Sequence, residues 1–102
     1  MSELEQKFHR TLVQGYEDAK RECGYNATYY IHMIAERGAL ATARHLITSD
    51  KPSDGFTRLW ECGKLSFTVE AVALDPTYSS LFTEEELTLA RERLQQYGYE
   101  VG

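Results

Sequence analysis

Apolar side chains recur at steps of four, four, four, three and four through Leu4, Phe8, Leu12, Tyr16, Ala19 and Cys23. In a helix of about 3.6 residues per turn that spacing returns every one of them to the same side. It predicts one amphipathic helix from the N-terminus to about residue 23. Lys7, Arg10, Gln14, Asp18 and Arg21 fall on the opposite, polar side. Ser2 and Glu5 stand at its start with the spacing of a capping box, in which each side chain satisfies a free backbone N–H. Gly15 interrupts the helix at a cost of about 1 kcal/mol relative to Ala, which suggests that another backbone passes close by. Gly24 supplies the stop.

The pattern continues as helix, stop, helix. Asn26 is placed to cap a second helix through Tyr29, Tyr30, Ile31, Met33, Ile34 and Ala35, closed by Gly38. A third runs from about Ala39 to Ile47, with Leu40, Ala43, Leu46 and Ile47 as its apolar side. The polar stretch Thr48 to Gly55 reads as a loop, and Ser53 is placed to cap a fourth segment carrying Phe56, Leu59 and Trp60. Gly63 ends it. Residues 64–74 fit both periods: Leu65, Phe67, Val69, Ala71 and Ala73 alternate as a strand would, while Leu65, Val69, Val72 and Ala73 fit a helix. A lone strand would leave its backbone groups unpaired, so a short helix is expected, broken by Asp75-Pro76. Thr83 and Glu86 form a second capping box, and Phe82 with Leu87 has the spacing of a hydrophobic staple. Leu87, Ala90, Leu94 and Tyr97 give the last helix its buried stripe.

The expected fold is therefore all-α, a single compact bundle of about five to six helices in one domain over residues 1–102. Composition leaves that picture unchanged. The chain has 102 residues, 42% of them apolar and 26% charged, an ordinary globular mixture for one modest core. No run approaches the roughly 18 apolar residues that span a bilayer, and the charged start, Met1 to Arg10, does not look like a secretory signal. A cytoplasmic location without membrane attachment is the expectation. Cys23 and Cys62 belong to no C-x-x-C arrangement, and the reading that follows is two free, small apolar fillers near helix ends. A disulfide between them is not expected in a reducing compartment.

Charge alters the range of partners. Residues 1–64 carry nine basic and nine acidic residues, and residues 65–102 carry two basic and seven acidic ones, so the whole net charge of −5 lies in the last third. An acidic balance argues against non-specific attachment to phosphate backbones.

The sequence contains no Walker loop, H-E-x-x-H, G-x-S-x-G or dinucleotide fingerprint. His32 and Glu36 share a helix face as metal ligands sometimes do, but so undemanding a pair is common by chance, and no metal or cofactor is expected. Cys23 with a histidine could be a nucleophile and its base, yet nothing supplies an orienting third group. The stretch Ile31 to Leu46 has the frame of a helix-turn-helix, with Thr42, Arg44 and His45 as candidate base contacts. Its surroundings are not densely basic, and the distance from the small residue to the turn glycine is one shorter than usual. A plain helical hairpin is the favoured reading. Tyr29 and Tyr30 are neighbours about 100° apart on a helix, so at least one must meet solvent. Exposed Tyr and Trp near Arg are the types favoured at protein interfaces.

The run Gly38 to Leu46, the run Ser53 to Glu61, Thr68-Val69-Glu70-Ala71 and Leu81 to Leu87 together resemble a small uncharacterised bacterial all-helical family. The similarity covers nearly the whole chain, from about Phe8 to Tyr97. Members occur alone or appended to larger proteins, including DNA-processing ones. The resemblance implies an accessory or regulatory module, in defence against foreign DNA or in a phage's reply to it. It carries over no catalytic residues.

The expectation is thus a non-enzymatic protein-interaction or regulatory module in a bacterial or phage complex. Its surface would use Tyr30, Arg37, Arg44, His45, Arg58 and Trp60, with a protein partner and a homodimer both in prospect. Two alternatives remain: a helix-turn-helix DNA binder, and an acidic inhibitor in which Glu84, Glu85 and Glu86 imitate nucleic acid.

Overall fold

The capping residues set where the helices begin. In the computed structural model, which describes residues 2–100, Ser2 Oγ accepts the Glu5 N–H at 3.1 Å and starts α1, Glu3–Cys23. Ser2 Oγ also lies 3.4 Å from the Glu5 carboxylate. Helix α2, Thr28–Arg37, begins after Ala27 and without a side-chain cap. Asn26 is not its cap, contrary to the sequence reading: its Oδ1 accepts the Tyr16 hydroxyl at 3.0 Å and ties the linker back to α1. Gly38, at φ 88°, is the only residue between α2 and α3, Ala39–Thr48. Few residues other than glycine hold that backbone angle.

Ser53 caps α4, Asp54–Glu61, accepting the Phe56 N–H at 3.1 Å. Residues 64–74 are helical, as expected, but in two pieces. A 3-10 turn, Leu65–Phe67, leads into α5, Val69–Leu74, which is capped by Thr68 Oγ1. A second 3-10 turn, Ser79–Leu81, precedes α6, Glu84–Gln96. There the capping box is complete: the Glu86 N–H donates to Thr83 Oγ1 at 3.1 Å, and the Thr83 N–H donates to Glu86 Oε1 at 2.8 Å. Among the described residues there is no strand, so the fold is an all-α bundle of six helices. No helix of these residues is long and apolar enough to cross a membrane.

Two apolar clusters hold the bundle. The larger joins Phe8 and Leu12 of α1 to Ile34, Ala43, Ile47, Ala73, Tyr78, Phe82 and Ala90. Phe8 meets the rings of Tyr78 and Phe82 edge-on, at 5.2 and 5.6 Å between centroids, a geometry that aligns ring edge with ring face. The Tyr78 hydroxyl is shared with Thr11 Oγ1 at 2.6 Å, so this buried phenol is not left unpaired. The smaller cluster holds Phe56, Leu65 and Leu94, with Tyr97 and Tyr99 against it.

Gly15 faces the carbonyl oxygen of Phe67, so a second backbone does pass α1 there, as expected. A Cβ at residue 15 would nevertheless stand 3.7 Å from that oxygen, an ordinary contact. Gly15→Ala is therefore expected to stabilise the fold by about 0.5–1 kcal/mol through lower unfolded-chain entropy. Urea unfolding checks this; a lower midpoint would show that α1 and the Phe67 turn are closer than an added methyl allows.

The cysteines are not free. Cys23 and Cys62 form a disulfide that joins the end of α1 to the end of α4, with 5.9 Å between their Cα atoms. The expectation of two thiol fillers is overturned by topology: the chain returns the end of α4 to the end of α1 after 39 residues. No local spacing carries that information. With the pair oxidised, cysteine usage no longer argues for a reducing compartment.

Candidate functional site

Beside the disulfide the bundle is not closed. A cleft of about 350 Å³ opens between α1, the linker into α2, α2 itself, the start of α4 and the start of α5. That size is toward the lower end for sites that take small ligands or anchoring side chains. Its walls come from the features that set the local helices. Gly15 and Ala19 keep the α1 side low, and Tyr16 rises from the same face. The uncapped turn before α2 brings in Tyr25 and Ala27, and α2 then supplies Tyr29, Tyr30 and Met33. Tyr29 is 76% exposed, and Tyr30, its neighbour on the helix, is half-buried. Phe56, Leu59 and Phe67 complete the apolar lining.

Two carboxylates line the cleft. Asp54 is exposed at the start of α4, whereas Glu70 is only 1% exposed. Glu70 Oε2 accepts from Arg93 Nη1 at 3.1 Å. Arg93 also donates to the carbonyls of Leu46, at 3.0 Å, and Ser49, at 2.5 Å. These belong to the end of α3, where helical carbonyls lack partners. One guanidinium thus ties α6 to α5 and α3. Burial pushes the Glu70 carboxyl up, against the pull of its own backbone N–H and of Arg93. Burial also pushes the Tyr30 phenol well above its ordinary range, and the Glu70 charge adds to that rise.

The residues expected from sequence fall in three places. Tyr30 and His45 line the cleft. Arg58 lies outside the lining but stacks on a cleft residue, its guanidinium carbon 5.2 Å from the Tyr25 ring centre. Trp60 is 46% exposed and leans on Tyr97, at 5.3 Å between centroids. Arg37 and Arg44 lie elsewhere, in a shallow recess around Gly38 with Glu5 and His9. Arg44 donates to the Leu81 carbonyl at 2.7 Å and pairs with Glu86 at 3.5 Å. The six residues do not form one surface.

Other candidates change too. Thr42, a base contact in the helix-turn-helix reading, is fully buried, and its hydroxyl has no hydrogen-bond partner among the described residues. Cys23 is bonded to Cys62, so the proposed thiol nucleophile is not available. His32 and Glu36 are exposed, and among the described residues no group of three or more His, Cys, Asp or Glu is placed to hold a metal ion. Glu86 is committed to its capping box and to Arg44, which leaves Glu84 and Glu85 as the exposed acids at that helix start.

Sequence reasoning missed Glu70 and Arg93. Glu70 lies between apolar Val69 and Ala71, and a charge inside an apolar run was the available signal. Arg93 gave none, because basic residues are ordinary near a helix C-terminus. Comparison of the chain with models of protein families, with curated proteins and with solved structures finds no match.

Proposed function

We propose that this chain is a non-enzymatic protein-interaction module that takes a segment of a partner protein into the cleft between α1, α2, α4 and α5. The observation that carries the reading is the cleft itself, a largely apolar hollow with Tyr29 standing exposed at its mouth. A large aromatic side chain left in water beside an apolar hollow loses its exposure when a partner docks. Trp60 and the Arg58–Tyr25 stack lie on the neighbouring α4 and linker, and extend the same kind of surface. The bacterial or phage setting rests on the family resemblance of the sequence.

The DNA-binding reading is less well supported. It needs Thr42 and Arg44 free to reach bases, whereas Thr42 is buried and Arg44 is held by Leu81 and Glu86. The nucleic-acid mimic has only Glu84 and Glu85 exposed from its acidic triplet.

The test is capture of partners from an extract of the source organism with the wild-type chain and with Tyr29→Ala, each with and without nuclease. A protein retained by the wild type after nuclease and lost from Tyr29→Ala is the expected result. A protein retained equally by both would place the interface away from the cleft. DNA recovered alone, and lost with nuclease, would bring the helix-turn-helix reading to first place.

A further inference from the structure

The chemistry of the cleft narrows what enters it. Its lining holds aromatic rings and aliphatic groups, two carboxylates, the His45 imidazole, the hydroxyl residues Ser53 and Thr68, and not one lysine or arginine. An apolar anchor would fill the cleft without answering its two carboxylates, of which Asp54 is exposed and Glu70 is buried and paired with Arg93. A long aliphatic stem ending in a positive charge matches the apolar walls and the two carboxylates. The stem would lie along Ala19, Ala27 and Met33, and the charge would meet tyrosine faces and carboxylate oxygens. The protein already makes such a contact next door, where the Arg58 guanidinium sits over the Tyr25 ring. Arg93 does not exhaust Glu70, because it engages one carboxylate oxygen and gives its other bonds to Leu46 and Ser49. A carboxylate has about four acceptor positions.

We propose that the cleft is a receptor for a lysine side chain of the partner protein, held between the tyrosine rings with its ammonium directed at Glu70 and Asp54. The assignment rests on the cleft being the docking site.

The probe is a short blocked peptide, acetyl-Gly-Lys-Gly-amide, against its norleucine counterpart, which keeps the stem and lacks the ammonium. Amide chemical shifts of the chain are followed during titration with each. The lysine peptide is expected to move resonances of residues 25–30, 53–56 and 68–70, and to bind about tenfold more tightly than the norleucine peptide. Asp54→Asn and Glu70→Gln are each expected to narrow that difference. Should Glu70→Gln unfold through loss of Arg93 pairing, exposed Asp54 still provides the comparison. Equal or tighter binding of the norleucine peptide would overturn the proposal, and so would an absence of cleft shifts at millimolar lysine peptide. If either occurs while partner capture still depends on Tyr29, the docking site stands and only its cationic anchor is wrong. If capture is also indifferent to Tyr29, the docking site itself is refuted.

Discussion

Arg93→Met is expected to destabilise the fold by about 3–5 kcal/mol, the usual cost of leaving one member of a buried ion pair alone. Glu70 and Arg93 side chains are 2% and 11% exposed, so little water reaches the pair to replace a lost partner. The carbonyls of Leu46 and Ser49 would be left without their donor as well. For a domain of this size total stability is about 5–15 kcal/mol, so the variant would lose about a fifth of it or more. The companion variant, Glu70→Leu with Arg93→Met, removes both charges and is expected to recover a substantial part of the loss. Urea unfolding of the three proteins measures this. A single-variant cost below about 1 kcal/mol would mean that the pair is solvated in solution and does not lock α5 to α6.

Reduction of the disulfide is the second large effect. Cys23–Cys62 closes a loop with a sequence separation of 39, and a cross-link of that span restricts the unfolded chain by about 2–4 kcal/mol. At about 5 °C per kcal/mol for a domain near this length, the melting midpoint is expected to fall by about 10–20 °C on reduction. Cys23→Ser with Cys62→Ser should reproduce the shift and make the midpoint insensitive to reductant. A wild-type midpoint unmoved by reductant, together with two reactive thiols in the unfolded protein, would show that the bond does not form. The local consequence falls on the cleft. Tyr16 and Ala19 lie on α1 and Phe56 and Leu59 on α4, the two helices that the bond joins.

Local physics made most of the helices legible. Phe8, Leu12 and Ala19 are buried where the step of three and four placed them. Ser53 and Thr83 cap the helices they were expected to cap, because a cap depends only on residues three positions apart. The same logic failed at Asn26, where a tertiary contact with Tyr16 outcompeted the capping bond. The 64–74 stretch was ambiguous because Thr68 divides it into a 3-10 turn and a short helix, and neither piece is long enough to show a period.

The site was legible only in part. Tyr29 and Tyr30 could not both be buried on one helix, and the exposed one is Tyr29. That Tyr16, Tyr25, Phe56, Phe67 and Glu70 gather around them is a consequence of how α1, α4 and α5 meet. Arg37 and Arg44 looked like companions of Tyr30 because they are near it in sequence, yet Arg37 ends α2 and Arg44 lies on α3 beyond the Gly38 turn, and both line a different recess. The disulfide belongs to the same class of fact. It depends on where two helix ends arrive, and neither cysteine's neighbours encode that.

The most direct measurement is amide hydrogen exchange of the chain alone and saturated with its captured protein partner. Docking in the cleft requires new protection over residues 25–30, 53–59 and 67–70, with residues 37–44 and 84–86 unchanged. Protection over 37–44 or 84–86 with the cleft unaltered would contradict it, and would place the interacting surface on the Gly38 recess or the acidic helix start instead.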